Sequence, residues 1–386
     1  MGGKHEYPPI SFLTDTSVDH YFDSKSQSEK YQTVISKFMK KLGVEFTYEK
    51  TIVMPQFTEI HFEVSTKAMI DEVLSKQNDL LSELKIVQFN ISFKGNIIRF
   101  EIPNKTPSKI SLRSIFNTIQ NIQPNESIVG LSEENNPLII DTQEKPNTLI
   151  IGRRGSGGAM LLSSMIASLA YINNPTTMSF IVLAPIADKS LKYLDGLPQM
   201  LYPVISELDE SVIKLQNLYK EIGERDTKLK EAGATNLKEY NKFQANLTNR
   251  YKEILLVISS FDKIAKISLQ NMELISNILK DGPKCGVKTI LLSLNANNES
   301  MDPVIYDHMN VKCILRLENE QESLKVFDSY RGIQLFGNGD GFFVDDKAKT
   351  KVRFQTCYLN VNELVEIIKV VKTFYEVKEE QRATSV

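Results

Sequence analysis

Several features are scarce in this chain, and each scarcity excludes something. No run approaches the roughly 20 consecutive apolar residues that a membrane-spanning helix needs, and the longest buried-looking runs are short, such as Ile254–Ile258. Met1–Tyr7 carries no apolar signal core, so the chain is read as soluble and cytoplasmic. Cysteine occurs only at Cys285, Cys313 and Cys357, without a CxxC pair and always in or beside an apolar run. That is the pattern of buried reduced thiols rather than of a disulfide framework. The histidines His5, His20, His61 and His308 show neither HxxxH nor HxH spacing, so no metal centre is expected. Charge of one sign is also missing: the formal net charge is -2. Nothing global draws the chain to nucleic acid or an anionic membrane. A DNA contact would require several Lys or Arg gathered on one face by the fold.

What is present suits two domains. The chain has 386 residues, 41% of them hydrophobic, enough for sizeable cores. Residues 1–28 are polar, contain Pro8-Pro9 and read as an extended arm. Tyr31, Val34, Ile35, Phe38 and Leu42 then fall on one helical face, and Gly43 stops the helix. Strand-like alternations follow at Ile60, Phe62 and Val64 and at Phe89, Ile91 and Phe93. A helix between them carries Met69, Ile70, Val73 and Leu74. Ile97–Ile102 adds a strand closed by Pro103-Asn104. Residues 29–105 are thus predicted to be a small α+β domain on a mixed sheet. Residues 106–145 read as a connector, with turn signals at Pro124-Asn125 and Asn135-Asn136-Pro137.

From Pro146 the rhythm changes. Short apolar runs at Thr148–Gly152, Phe180–Ala184, Ile254–Ile258, Thr289–Leu294 and Cys313–Leu317 alternate with helical patterns. Such runs predict a mainly parallel sheet buried on both faces, over residues 146–377. Val212, Leu215, Leu218, Ile222 and Leu229 mark a helix packed on that core. Leu359–Val377 is a further amphipathic helix, and 378–386 a polar tail.

The first run ends in Gly152-Arg153-Arg154-Gly155-Ser156-Gly157-Gly158-Ala159. This is a glycine-rich turn from strand to helix, close to the phosphate-binding pattern GxxxxGK[ST]. Gly152 and Gly157 hold the two glycine positions. Gly158 stands where the lysine belongs and Ala159 where the hydroxyl belongs. The lysine would neutralise charge on the β- and γ-phosphates, and the hydroxyl would bind Mg²⁺. The loop amides and helix N-terminus can still attract an anion. Arg153 and Arg154 could lend charge, though from the wrong side of the loop. Gly-rich turns of this kind also arise for packing alone. A second motor strand would end in Asp, often followed by Glu. Ile254–Ile258 is that strand by spacing and composition, but it ends in Ser259-Ser260. Asp262 comes two residues late.

Taken in order, these segments resemble the motor region of the FtsK/SpoIIIE family of DNA translocases, from about Tyr7 to Phe374. Tyr7-Pro8-Pro9-Ile10-Ser11-Phe12-Leu13 resembles its Pro-containing lead-in, and Phe100-Glu101-Ile102-Pro103-Asn104 its "IEVPN". Residues 152–159 lie over "GTTGSGKS". Asp195-Gly196-Leu197-Pro198-Gln199-Met200-Leu201 resembles "NGIPHLL", and residues 232–241 resemble "TGVRNIEGYN". Gly286-Val287-Lys288-Thr289-Ile290-Leu291-Leu292 resembles "GIHLVLA", and residues 335–343 resemble "LLGRGDMLFL". The departures fall on chemistry. "DPK" becomes Ala184-Pro185-Ile186, "DE" becomes Ser259-Ser260, and "TQRP" becomes Ser293-Leu294-Asn295-Ala296. The paired arginines of "MERRY" become Glu224-Arg225.

The resemblance implies a RecA-like P-loop NTPase core of α/β class behind a small α+β domain. It also implies a hexameric ring around duplex DNA and a separate winged-helix reader. No segment here matches that reader, so sequence-directed loading is not expected. Three readings follow. The chain is a pseudo-ATPase for ring assembly or DNA holding in chromosome segregation or DNA transfer; or a working translocase whose chemistry moved to Arg153, Arg154 or Asp262; or an α/β interaction module without DNA. The first implies no catalytic residue, weak ATP or ADP binding at most, and no Mg²⁺. It also allows a homo-oligomeric ring or a mixed ring with an active paralogue.

Overall fold

The protein is described by a computed structural model over residues 7–185, 191–294, 296, 302–327 and 329–384. His5, Ile186 and Asn295, singled out in the sequence, lie outside the described residues, as do 1–6 and 385–386. The chain divides into two compact units, Thr16–Ile110 and Met1–Asp15 with Ser111–Val386.

The smaller unit is a four-stranded sheet with helices on one face. Its strands are β1 (Phe46–Val53), β2 (Phe57–Val64), β3 (Asn90–Lys94) and β4 (Ile97–Pro103), in the order β1-β2-β4-β3. Helix Tyr21–Lys41 lays Tyr31, Ile35, Phe38 and Met39 on Ile60, Phe62, Ile98 and Phe100, the four-residue spacing of one helical face. Phe62 meets Phe46 and Phe100 edge-on, with ring centroids 5.3 and 5.9 Å apart. The sheet is wholly antiparallel rather than mixed. Short links dictate this for two of the three pairings: residues 54–56 join β1 to β2 and Gly95-Asn96 alone joins β3 to β4, and a parallel pair needs a crossover of a dozen or more residues. The expected arm is shorter than 1–28, because the helix begins at Tyr21.

Among the described residues the larger unit holds nine strands, in the order β6-β5-β13-β12-β11-β7-β10-β9-β8. They are β5 (Glu126–Ser132), β6 (Pro137–Asp141), β7 (Asn147–Ile151), β8 (Met178–Leu183), β9 (Glu253–Ser259), β10 (Val287–Ser293), β11 (Val311–Leu315), β12 (Asp340–Asp345) and β13 (Thr350–Thr356). The five apolar runs are β7 to β11, and the four pairings among them are parallel. The four remaining pairings are antiparallel. Residues 106–145 are therefore not a connector: they supply helix Leu112–Thr118 and the hairpin β5–β6 to this unit. The hairpin turns through Asn135, whose φ of 59° suits asparagine,.

Helix Leu208–Glu231 and helix Leu269–Asp281 pack one face of the sheet, on Leu149, Ile151, Ile181, Leu183, Leu256 and Ile258. Alternation sends Ile150 to the opposite face, where it approaches helix Gly158–Ile172 at Gly158. That helix is buried at almost every position. Helix Val361–Thr384 lies against it and continues through the expected polar tail as far as Thr384. Among the described residues no helix is long and apolar enough to cross a membrane.

Strand order locates the site. β7 lies between β10 and β11, so the chain passes to the other side of β7 after β10. Open parallel sheets bind ligands outside the carboxyl ends of their strands at such a reversal.

Phe62→Ala should lower the stability of the smaller unit by about 3–5 kcal/mol, the usual loss for a buried Phe. Scanning calorimetry should show one transition moving down while that of the larger unit stays in place.

Candidate functional site

The glycine-rich loop leaves β7 at its carboxyl end, tied to both neighbouring strands. Gly152 N donates to Ser293 O at the end of β10 (3.2 Å), and Arg153 N donates to Arg316 O after β11 (2.8 Å). Gly155 and Gly157 have φ of +78° and +106°, a region costly to residues with a Cβ. Gly157 caps helix Gly158–Ile172 without a side-chain acceptor. The first amides of that helix have no acceptor within it, so they are available to an anion.

A second glycine turn backs the loop. Gly339 N donates to Ser156 O at 2.7 Å. A Cβ on Gly157 would lie 2.4 Å from Gly339 N, closer than atoms can approach. The turn has three successive left-handed residues, Gly337, Asn338 and Gly339, with φ of 83°, 51° and 89°. Asp340 fixes it. Both of its carboxylate oxygens accept from Arg353, at 2.9 Å each, and Oδ2 also accepts Phe336 N at 2.8 Å. Gln355 Nε2 donates to Asn338 O at 2.8 Å. Asp340 and Arg353 are both buried.

The sheet brings the expected motif positions together. Ile151 pairs with Ser293, and Leu292 with Ser259, so the ends of β7, β10 and β9 lie side by side. The chemistry at these places is apolar or neutral. A Cβ on Gly158 would face Leu292 Cδ1 at 3.0 Å and Leu315 Cδ1 at 3.7 Å, a wall of methyl groups where an ammonium would begin. Ala159 has no oxygen for a metal. Ser259 and Ser260 are buried, and Ser260 is left-handed (φ 58°) at the start of helix Phe261–Ala265. Asp262 is buried in the first turn of that helix, past the strand end. Mg²⁺ does not fit this donor set, which offers neither the loop hydroxyl nor a carboxylate at the strand end. Among the described residues no three His, Cys, Asp or Glu side chains group as metal ligands.

Arg153 is half-buried, with Nη1 3.9 Å from Glu318 Oε2, and Arg154 is exposed. Sequence reasoning missed Arg316, whose main chain anchors the loop. Burial, and then the like charge of Arg153, hold its guanidinium below the ordinary value. It also missed Asp340 and Arg353, although residues 335–343 had drawn notice. Arg225 is structural, donating to Lys252 O (2.9 Å), Cys285 O (3.0 Å) and Glu221. Cys285, Cys313 and Cys357 are buried free thiols, pushed up by burial to about 11, about 12 and about 11. Buried thiols of this kind are poor nucleophiles.

Comparison with known proteins assigns this arrangement. A model of the FtsK/SpoIIIE family matches residues 119–332. The chain belongs to the FtsK/SpoIIIE family. A model of the FtsK alpha domain matches residues 7–104. The chain is 24% identical over 374 residues to the DNA translocase FtsK of Helicobacter pylori (strain ATCC 700392 / 26695), covering 95% of this chain and 43% of that one. It is 21% identical over 382 residues to the DNA translocase SftA of Bacillus subtilis (strain 168), covering 96% and 40%. It therefore spans less than half the length of these relatives. Among solved structures it is similar to the pCW3 conjugation coupling protein TcpA in its monomer form with ATPγS, at TM-score 0.59 and 16% identity, covering 90% of this chain and 99% of that one. It is also similar to the cytoplasmic domain of the Type VII secretion ATPase EccC of Thermomonospora curvata, at TM-score 0.59 and 20% identity, covering 68% and 34%. These likenesses show the fold: an α/β, RecA-like P-loop core with a small α+β domain before it.

Asp340→Ala leaves Arg353 buried without its partner and should cost about 3–5 kcal/mol, as for other broken buried pairs. Urea unfolding of the larger unit is the measurement.

Proposed function

We propose that this chain is a pseudo-ATPase of the FtsK/SpoIIIE family, which keeps the motor fold to assemble a ring or to hold duplex DNA. The supporting observation is the coincidence of losses in one place. By motif spacing Gly158, Ala159, Ser259 and Ser260 stand at the lysine, hydroxyl, aspartate and glutamate positions, and the strands that lead to them, β7 and β9, flank β10. Leu294 stands where the family has a polar Gln beyond β10. Phosphoryl transfer depends almost wholly on positioning and electrostatic stabilisation. Removing a single preorganised donor commonly costs about 10²–10³ in rate, and here the lysine, the hydroxyl and both carboxylates are all replaced.

Phosphate binding is a separate matter. Loop amides and a helix N-terminus do not require lysine or metal. The reading is therefore weak, Mg²⁺-independent binding of ATP or ADP. DNA holding would be salt-sensitive and rest on local basic residues, since the whole chain is nearly neutral. The ring would consist of copies of this chain or include an active paralogue, in the cytoplasm, during chromosome partition, cell division or DNA transfer.

The purified chain should hydrolyse no ATP above background, with or without duplex DNA. The combined variant Gly158→Lys, Ala159→Ser, Ser259→Asp, Ser260→Glu should gain turnover, because a Cβ at 158 meets only the mobile end of Leu292 within 3.4 Å. Wild-type turnover abolished by Arg153→Ala or Asp262→Asn would sink the proposal in favour of displaced chemistry.

A further inference from the structure

Residues 7–15 fall inside the match to the alpha-domain model, yet they pack with the larger unit. They cross three of its helices. Pro9 holds an extended conformation (φ -57°, ψ 131°) ahead of the single turn Ile10–Phe12. Tyr171 Oη, near the end of helix Gly158–Ile172, donates to Pro9 O at 2.8 Å. Arg113 Nη1, on helix Leu112–Thr118, donates to Leu13 O at 2.6 Å. Thr14 Oγ1 donates to Glu366 Oε2, on helix Val361–Thr384, at 2.7 Å. Ser111 Oγ donates to Asp15 Oδ1 at 2.7 Å and closes the strap. Pro8 and Leu13, within the strap, are buried.

The attachment to Tyr171 is the informative one. Its ring is fully buried and packs on Phe116, with centroids 5.5 Å apart. Burial raises its phenol well above the ordinary value, so it remains a donor across the working pH range. The helix that carries it begins at Gly158, in the phosphate loop, and is enclosed along its length. Fifteen residues span about 22 Å, and close-packed interiors transmit strain rather than absorb it. The two prolines limit the freedom of the unbound segment, so less entropy is lost when it docks.

We infer that residues 7–15 are a tether on the P-loop helix. Displacement of the chain ahead of Tyr7 is delivered to the Tyr171 end of that helix, and along it to the loop, rather than to β1–β4. The tether acts whether or not the loop takes nucleotide, so it stands apart from the pseudo-ATPase reading.

Hydrogen exchange on the full chain tests this. Tyr171→Phe removes one hydrogen bond and keeps the ring. It should speed exchange along 158–172 roughly fivefold, as for one ordinary hydrogen bond. Leu13→Ala should speed it about thirtyfold or more, the factor matching the smaller losses for buried Leu→Ala. β1–β4 should be unchanged in both variants. Faster exchange confined to residues 7–15, or appearing in β1–β4 instead of 158–172, would overturn the inference. If Leu13→Ala fails to fold, Tyr171→Phe alone decides.

Discussion

Gly339 lies so close to Gly157 that Gly157 has no room for a side chain, and the shape of the phosphate loop depends on that contact. A Cβ on Gly157 would meet Gly339 N, and one on Gly339 would lie 2.1 Å from Thr356 Cγ2. Three left-handed residues in succession do not hold such a turn in place by themselves. The buried Asp340–Arg353 pair does so, with Phe336 N and the Gln355 amide adding directed hydrogen bonds. The antiparallel strands β12 and β13 thus support a loop that belongs to the parallel half of the sheet.

This support separates shape from chemistry. The backbone features that make a phosphate cradle are two glycines with positive φ, bonds to the strands on either side and a helix N-terminus. All are fixed by packing and by the ion pair. The groups that would perform phosphoryl transfer are side chains at the same strand ends, and packing does not require them. Serines fill the β9 positions at low volume. Glycine at 158 lets helix Gly158–Ile172 close on Leu292 and Leu315. A fold can therefore keep a motor's architecture after its side-chain chemistry has changed, because different atoms carry the two properties.

The sequence exposes the parallel half of the sheet well. β7 to β11 are short unbroken apolar runs, a pattern that burial on both faces produces, and the glycine loop marks the end of β7. Other parts leave weaker traces. β5 and β6 hide in a stretch dominated by turn residues, and Pro137 heads an edge strand. The mixed sheet expected for residues 29–105 fails because strand composition does not encode direction; loop length does, and Gly95-Asn96 was the available clue. Residues 7–15 look like a free arm because their bonds go to Tyr171, Arg113 and Glu366, about 100 to 350 positions away along the chain. Asp340 and Arg353 lie 13 residues apart on paired strands, and nothing local reveals that they meet. The candidate site positions rest on motif spacing after the end of β7. Arg316 was not legible, because it acts on the loop through its carbonyl and any residue could supply that atom.

The central claim is that the loop keeps a phosphate-binding shape without the groups that use metal. Calorimetric titration of the purified chain with ATP, in Mg²⁺ and in EDTA, tests it most directly. Weak binding is expected, with affinities that agree within about twofold in the two buffers, since position 159 lacks the hydroxyl and the end of β9 lacks the carboxylate that would hold the metal. Affinity at least about tenfold tighter with Mg²⁺, a difference of about 1.4 kcal/mol, would contradict it.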